Sequence, residues 1–451
     1  NHEFDEGWQE LLRLQKGGCI DDGDGRDNQN SCPDPEQPFD GANFDYLSAN
    51  VFHEDTGRTL LKPYVVKRFG HTRVAFIGMT LEDTPNIVTK KGVEGLEFTD
   101  EVETANALVP KLKRRGVEAM VLLLHEGGFP EDPTAYDACP GISGPVVDIA
   151  SKLDPEIDVI ISGHTHQAYN CTLPDPAGKP RQVTSAASFG KVVTELTLTI
   201  DRFTRDVVRT KSTATNRIVT RDVPEAADIT SLIEKYTTLV EPIAGKVIGH
   251  LSSESVIRDT DDSLESPLGN LIADSMLADP SVVVDGKEPQ IALMNPGGIR
   301  ADLVAADNGE VTFGAAFTVQ PFNNYLVSLD FTGEQILELL EQQWSGDNAG
   351  GEDHWKVLQV AGLSYTWDKD APEGSKVVAD SVTVGGEPLD PAATYRVVTN
   401  SFLADGGDGF PVFTQGANSY YGGLDIDALA AYLTANDPYT PVPTDRIDLA
   451  D

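Results

Sequence analysis

The chain has 451 residues, too many for one ordinary domain and comfortable for two. Its 72 acidic residues against 34 basic ones give a formal net charge of -38. Such a surface excludes nonspecific attraction to nucleic acid or anionic membrane, which need a positive footprint, and no apolar run approaches the roughly 18 residues of a membrane helix.

In chain order, Phe4, Trp8, Leu11 and Leu12 fall on one helical face. Residues 72–80 predict a buried strand, and 100–116 a helix ending near Gly116. The β run 118–125 ends on His125. Residues 145–153 predict a helix, 157–163 a buried strand leading to His164 and His166, and 192–200 an antiparallel strand. Alternating elements of this kind build an α/β layer, which usually places its site at strand C-terminal ends.

The stretch 202–245, charged and Thr-rich, predicts a linker with one helix around 225–240, able to act as a hinge. A second α/β unit follows. It has helices near 267–278 and 332–343 and strands at 290–294, 324–330 and 394–399. The expected organisation is a first domain over 1–201, a linker over 202–245 and a second domain over 246–445.

The four cysteines fall in two local pairs, Cys19 with Cys32 and Cys139 with Cys171. Neither has the CxxC spacing of common zinc sites. Two disulfides are expected, hence an oxidising compartment, although four cysteines allow three connectivities. The Asp/Gly-rich run Asp21–Asp27 could wrap a Ca²⁺ ion with its carboxylates, but it lacks the terminal Glu of an EF-hand loop, and a solvated, disulfide-closed loop is the favoured reading. Asn170-Cys171-Thr172 is a glycosylation sequon.

Histidines in alternation after a buried strand, as in Gly163-His164-Thr165-His166, suit one or two ions of the Zn, Mn or Fe type. The ordered set Asn1-His2-Glu3-Phe4-Asp5, His125 and Gly163-His164-Thr165-His166 resembles the calcineurin-like metallophosphoesterases, and its first segment resembles the 5′-nucleotidase family. The second half resembles the nucleotide-binding domain of that family. The matching segments are Glu265-Ser266-Pro267-Leu268-Gly269-Asn270, Asn295-Pro296-Gly297-Gly298-Ile299-Arg300, Pro321-Phe322-Asn323-Asn324 and Phe402 to Phe410.

The resemblance implies a four-layer α/β/β/α metallophosphoesterase domain followed by a second α/β domain. It implies two divalent metal ions, with Asn1, His125 and His164 on one and His166 on the other. His2, oriented by Asp5, would donate to phosphoryl oxygens as negative charge develops. Phe322 and Phe402 would sandwich a base, Asp408 would bind ribose, and Asn295 and Arg300 would touch the nucleoside and the phosphate. The implied activity is extracytoplasmic hydrolysis of nucleotide phosphate esters. Nucleoside monophosphates, nucleotide sugars and 2′,3′-cyclic nucleotides all remain open as substrates. The partner is a small-molecule nucleotide, not a nucleic-acid polymer.

Two departures qualify the resemblance. The family's Asp-x-His and Gly-Asp motifs have no counterpart before Asn1, and His53 and His71 do not match them. The sequence is therefore expected to lack the start of its metal site, to bind metal weakly and to turn over little alone. The alternative is a catalytically incomplete fragment that binds nucleosides. Second, Leu264 stands where some relatives carry Arg, and the nearby Arg258 does not match.

Overall fold

A computed structural model of the protein describes residues 1–20 and 39–450. The Asp21–Asp27 run and the Cys19–Cys32 pairing reach outside the described residues. The chain divides into two compact units, Asn1–Pro224 and Glu225–Asp451.

The first unit is organised on a six-stranded sheet. Its order is Tyr64–Phe69, Thr72–Met79, Ala119–Leu124, Val159–Ile161, Pro180–Ala186 and Ala168–Pro174. The four inner strands run parallel and the two outer ones antiparallel to their neighbours. The sequence alternates faces as a covered strand must. Ala75, Ile77, Met120, Leu122 and Ile160 pack under the helices Glu101–Arg114 and Pro145–Lys152. Val74, Val121 and Val159 pack on the opposite face with Val207, Leu196 and Leu198. Burial on both faces explains why these strands read as unbroken apolar runs.

The stretch expected as a linker is divided between the units. Thr213–Ile218 is a strand paired antiparallel with Val192–Thr197 inside the first unit. Its composition hides it, because it is held by polar clasps rather than apolar burial. Asn216, 2 % exposed, donates to the carbonyls of Tyr136, Tyr169 and Ser185, while its own N–H reaches Asp137. The expected helix is Ala227–Ala244, at the start of the second unit.

The second unit centres on a five-stranded sheet ordered Gln359–Ala361, Ile291–Met294, Thr394–Asn400, Tyr325–Thr332 and Ala417–Leu424. One face packs on the helices Pro267–Ala278 and Asp425–Ala435, the other on Gly333–Gln342. The first of these helices starts where its sequence dictates. Ser266 caps it by accepting the Gly269 N–H at 2.9 Å, with Pro267 in the first turn. Gly333–Gln342 opens with a capping box between Thr332 and Gln335.

The Glu265–Asn270 segment is a structural hub. Glu265 is fully buried and accepts from Asn270 and from the backbone N–H groups of Arg446 and Ile447. It thereby ties the C-terminal strand Ile447–Leu449 to this helix start. Gly269 is required there because a Cβ would lie 2.3 Å from the Gln359 side chain.

Cys139 and Cys171 form a disulfide joining the 129–143 loop to the strand Ala168–Pro174. The sequon residue Asn170 is engaged beside it, its amide donating to Asp137 and to the Ala214 carbonyl at 2.9 Å each.

Candidate active site

Two constellations emerge, one in each unit. In the first unit, His125 follows the strand Ala119–Leu124, and its N–H bonds the Met79 carbonyl of the neighbouring strand. His164 and His166 follow Val159–Ile161 in left-handed backbone conformations, with φ of 66° and 59°. Such strain in non-glycine residues persists only where surrounding contacts impose it. Here the contacts are explicit. Thr165 Oγ1 donates to the Gly128 carbonyl at 3.0 Å. A Cβ at Gly127 would lie 2.3 Å from the Gly163 carbonyl oxygen, so glycine lets the two loops meet.

The His125 and His164 rings then stand edge to face, centroids 5.4 Å apart. Asn1 Oδ1 lies 2.5 Å from His125 Nε2, and Asn1 Nδ2 is buried without a partner among the described residues. His2 Nδ1 sits 2.9 Å from an Asp5 carboxylate oxygen, the pairing expected from the sequence. Burial pushes the His125 imidazole down to about 4, which keeps it neutral near neutral pH. A cavity of about 360 Å³ opens beside these groups, lined by Asn1, Met79, Thr80, His125, Ser162 and Gly163 among others.

Among the described residues no three His, Cys, Asp or Glu side chains are grouped so as to hold a metal ion by themselves. The donors that do meet, His125 Nε2 and the Asn1 amide oxygen, fit part of a divalent-metal coordination sphere. Of the two histidines set aside in the sequence, His53 packs edge-on to Trp8 at 5.1 Å and His71 is exposed.

In the second unit a continuous series of contacts links all five expected residues. Phe402 lies over Gly407, where a Cβ would be 2.4 Å from its ring. The next residue, Asp408, is 8 % exposed and takes a left-handed backbone, φ 53° and ψ 28°. Asn295 Nδ2 donates to its carboxylate at 2.7 Å. Two residues on, Gly297 offers its carbonyl to Arg300 Nη1 at 3.1 Å, and the Arg300 guanidinium lies 5.7 Å from the centre of the Phe322 ring. Phe402 and Phe322 are both partly exposed. The unit thus presents two aromatic faces, a carboxylate and a guanidinium in one neighbourhood.

Two residues outside the expected set, Arg258 and Asn400, stand beside these five. Arg258 Nη1 donates to the Arg300 main-chain carbonyl at 2.9 Å, which ties a second arginine to the backbone of the first. Asn400, fully buried, bonds Asn295. Arg258 lies outside the quoted motifs, and Asn400 had no signal beyond its position two residues before Phe402.

A family model described as "5'-nucleotidase, C-terminal domain" matches residues 247–415. The chain is 32% identical to "Endonuclease YhcR" of Bacillus subtilis, covering 100% of this chain and 34% of that protein. It is 34% identical to "Cell wall protein Lmo0130" of Listeria monocytogenes, covering 92% and 52%. The chain therefore spans between a third and about half the length of these curated relatives. Among solved structures, the 5′-nucleotidase precursor of Thermus thermophilus superimposes with a TM-score of 0.74 at 32% identity, covering 90% of this chain and 78% of that one.

Proposed function

The chain belongs to the 5′-nucleotidase family, and from that premise we propose that it hydrolyses phosphate esters of nucleotides. The observation that carries this reading is the contact series Phe402–Gly407–Asp408–Asn295–Gly297–Arg300–Phe322. Few ligands other than a nucleoside phosphate use flat aromatic faces, a hydroxyl-binding carboxylate and a guanidinium together.

Phe322 and Phe402 would stack the base, Asp408 would accept from ribose hydroxyls, and Arg300 would pair with a phosphate oxygen. In the first unit, Asn1, His125, His164 and His166 would hold divalent metal. When bound, such ions acidify water and neutralise phosphoryl charge. The neutral state of His125 suits that task. His2, its Nδ1 held by Asp5, would donate a hydrogen bond from its Nε2–H to the phosphoryl oxygens.

The Cys139–Cys171 disulfide and the relative named as a cell wall protein support a site of action outside the cytoplasm. No helix among the described residues is long and apolar enough to cross a membrane.

The test is phosphate release from adenosine monophosphate with added Mn²⁺ or Zn²⁺. Release that chelation abolishes is expected when the family's Asp-x-His and Gly-Asp motifs stand ahead of Asn1, and little release from the 451-residue chain by itself. A second reading, cleavage of nucleic-acid phosphodiesters, is favoured by the name of the Bacillus subtilis relative. The net charge of -38 opposes it, since a polyanion would be repelled. Cleavage of a DNA duplex without phosphate release from the monophosphate would overturn the nucleotidase reading in favour of this one.

A further inference from the structure

We propose that Asn400 is a positioning residue of the nucleoside pocket, linking the segment that carries Phe402 to the Asn295–Asp408 pair. The proposal rests on the nucleoside reading above and adds to it a residue that contacts no ligand.

Asn400 closes the strand Thr394–Asn400 and is fully buried. Its Oδ1 accepts the Leu403 N–H at 2.8 Å and so caps the short helix Ser401–Ala404, which carries Phe402. Its Nδ2 donates to Asn295 Oδ1 at 2.9 Å. Asn295, 2 % exposed, passes the chain on by donating to Asp408 at 2.7 Å. A further buried amide, Asn348, donates to the Asp408 main-chain carbonyl at 2.9 Å and steadies its left-handed backbone.

The direction of this chain is fixed at both ends. A backbone N–H can only donate, and an ionised carboxylate can only accept. Between them each asparagine has one acceptor oxygen and one donor NH₂, so a single arrangement satisfies every link. Flipping either amide would set oxygen against oxygen or NH₂ against NH₂. In a buried site such a mismatch costs the full desolvation of the groups involved. The arrangement therefore holds the Asp408 carboxylate and the Phe402 segment in one relationship before any ligand arrives. Such preorganisation improves binding without contact.

The alternative role is that of a helix cap alone. Asn400→Ser separates the two, because serine caps well but is too short to reach Asn295. Adenosine affinity is measured by calorimetry for the 451-residue chain and for Asn400→Ser, Asn295→Ala and the double variant. Asn400→Thr, which also caps, is run beside the serine variant against loss of fold, with thermal melting as the control.

Asn400→Ser is expected to weaken adenosine binding by about five- to tenfold. The double variant is expected to lie within about twofold of Asn295→Ala, because both changes break one chain. Wild-type affinity in a folded Asn400→Ser or Asn400→Thr variant overturns the proposal and leaves Asn400 a cap. Losses that multiply in the double variant overturn it as well. Failure of the unaltered chain to bind adenosine removes the pocket reading itself and the proposal with it.

Discussion

Asn295 and Asp408, 113 positions apart, meet at 2.7 Å in the interior of the second unit. That bond joins a loop following one strand to a strained turn following another. Asp408→Ala should weaken adenosine binding by roughly 1.5–3 kcal/mol, the range for hydrogen bonds to a charged group, and should also lower the melting temperature, because it leaves the buried Asn295 Nδ2 without its acceptor. Calorimetry checks it, and an unchanged dissociation constant would remove Asp408 from the ribose contact.

Phe402 should contribute through its face. Phe402→Ala is expected to cost roughly 1–3 kcal/mol of nucleoside affinity if the base stacks there. Phe402→Tyr keeps the face and should bind nearly as the unaltered chain does. Equal losses in both variants would point to damaged packing around Gly407 instead of lost stacking.

In the first unit, His166→Ala should lower the bound Zn²⁺ or Mn²⁺ and abolish metal-dependent phosphate release. Metal content read by atomic absorption separates this from simple misfolding when melting is unchanged. Full turnover with full metal content would contradict the assignment.

Asp425 gives a prediction in pH. It is 1 % exposed, and burial raises its carboxyl to about 7. Between about pH 4 and 7 the folded chain holds a proton that the unfolded chain has released. Stability from this group is thus full below about pH 4 and lost as pH rises through about 7. Asp425→Asn should therefore gain on the unaltered protein between about pH 5 and pH 8, by about 1–3 kcal/mol. Denaturant titration at both values checks the sign; a difference constant with pH would refute it.

The Cys139–Cys171 bridge closes a loop of 32 positions. Replacing both cysteines by alanine should lower stability by about 3–4 kcal/mol on the chain-entropy account. A melting temperature equal to that of the oxidised protein would show that the loop is held by its hydrogen bonds alone.

Some of the fold was plain in the residues. The strands Thr72–Met79 and Ala119–Leu124 and the helices Glu101–Arg114 and Pro267–Ala278 fall where apolar runs and caps place them. The strands Ala168–Pro174, Pro180–Ala186 and Thr213–Ile218 were not so legible, since Asn, Thr, Gln and Arg fill many of their positions. Those residues are held by partners far away in sequence. Arg181 is fully buried and donates to the carbonyls of Ala150, Leu153, Asp154 and Ile157.

The composition of both constellations is legible in the residues alone, because side-chain chemistry and short-range order are local properties. These residues are the histidines at strand ends, the two phenylalanines, the carboxylate and the arginine. Which of them meet, and what holds them, follows from contacts between segments far apart in the chain. The bond from Asn400 to Asn295 to Asp408 crosses between distant segments of chain. So do the clasp of Asn216 on the first unit and the pairing of Arg258 with the Arg300 backbone. A buried amide has the same composition whether it caps a helix, orients a carboxylate or does both; its partners, fixed by burial and by the directionality of hydrogen bonds, settle its role.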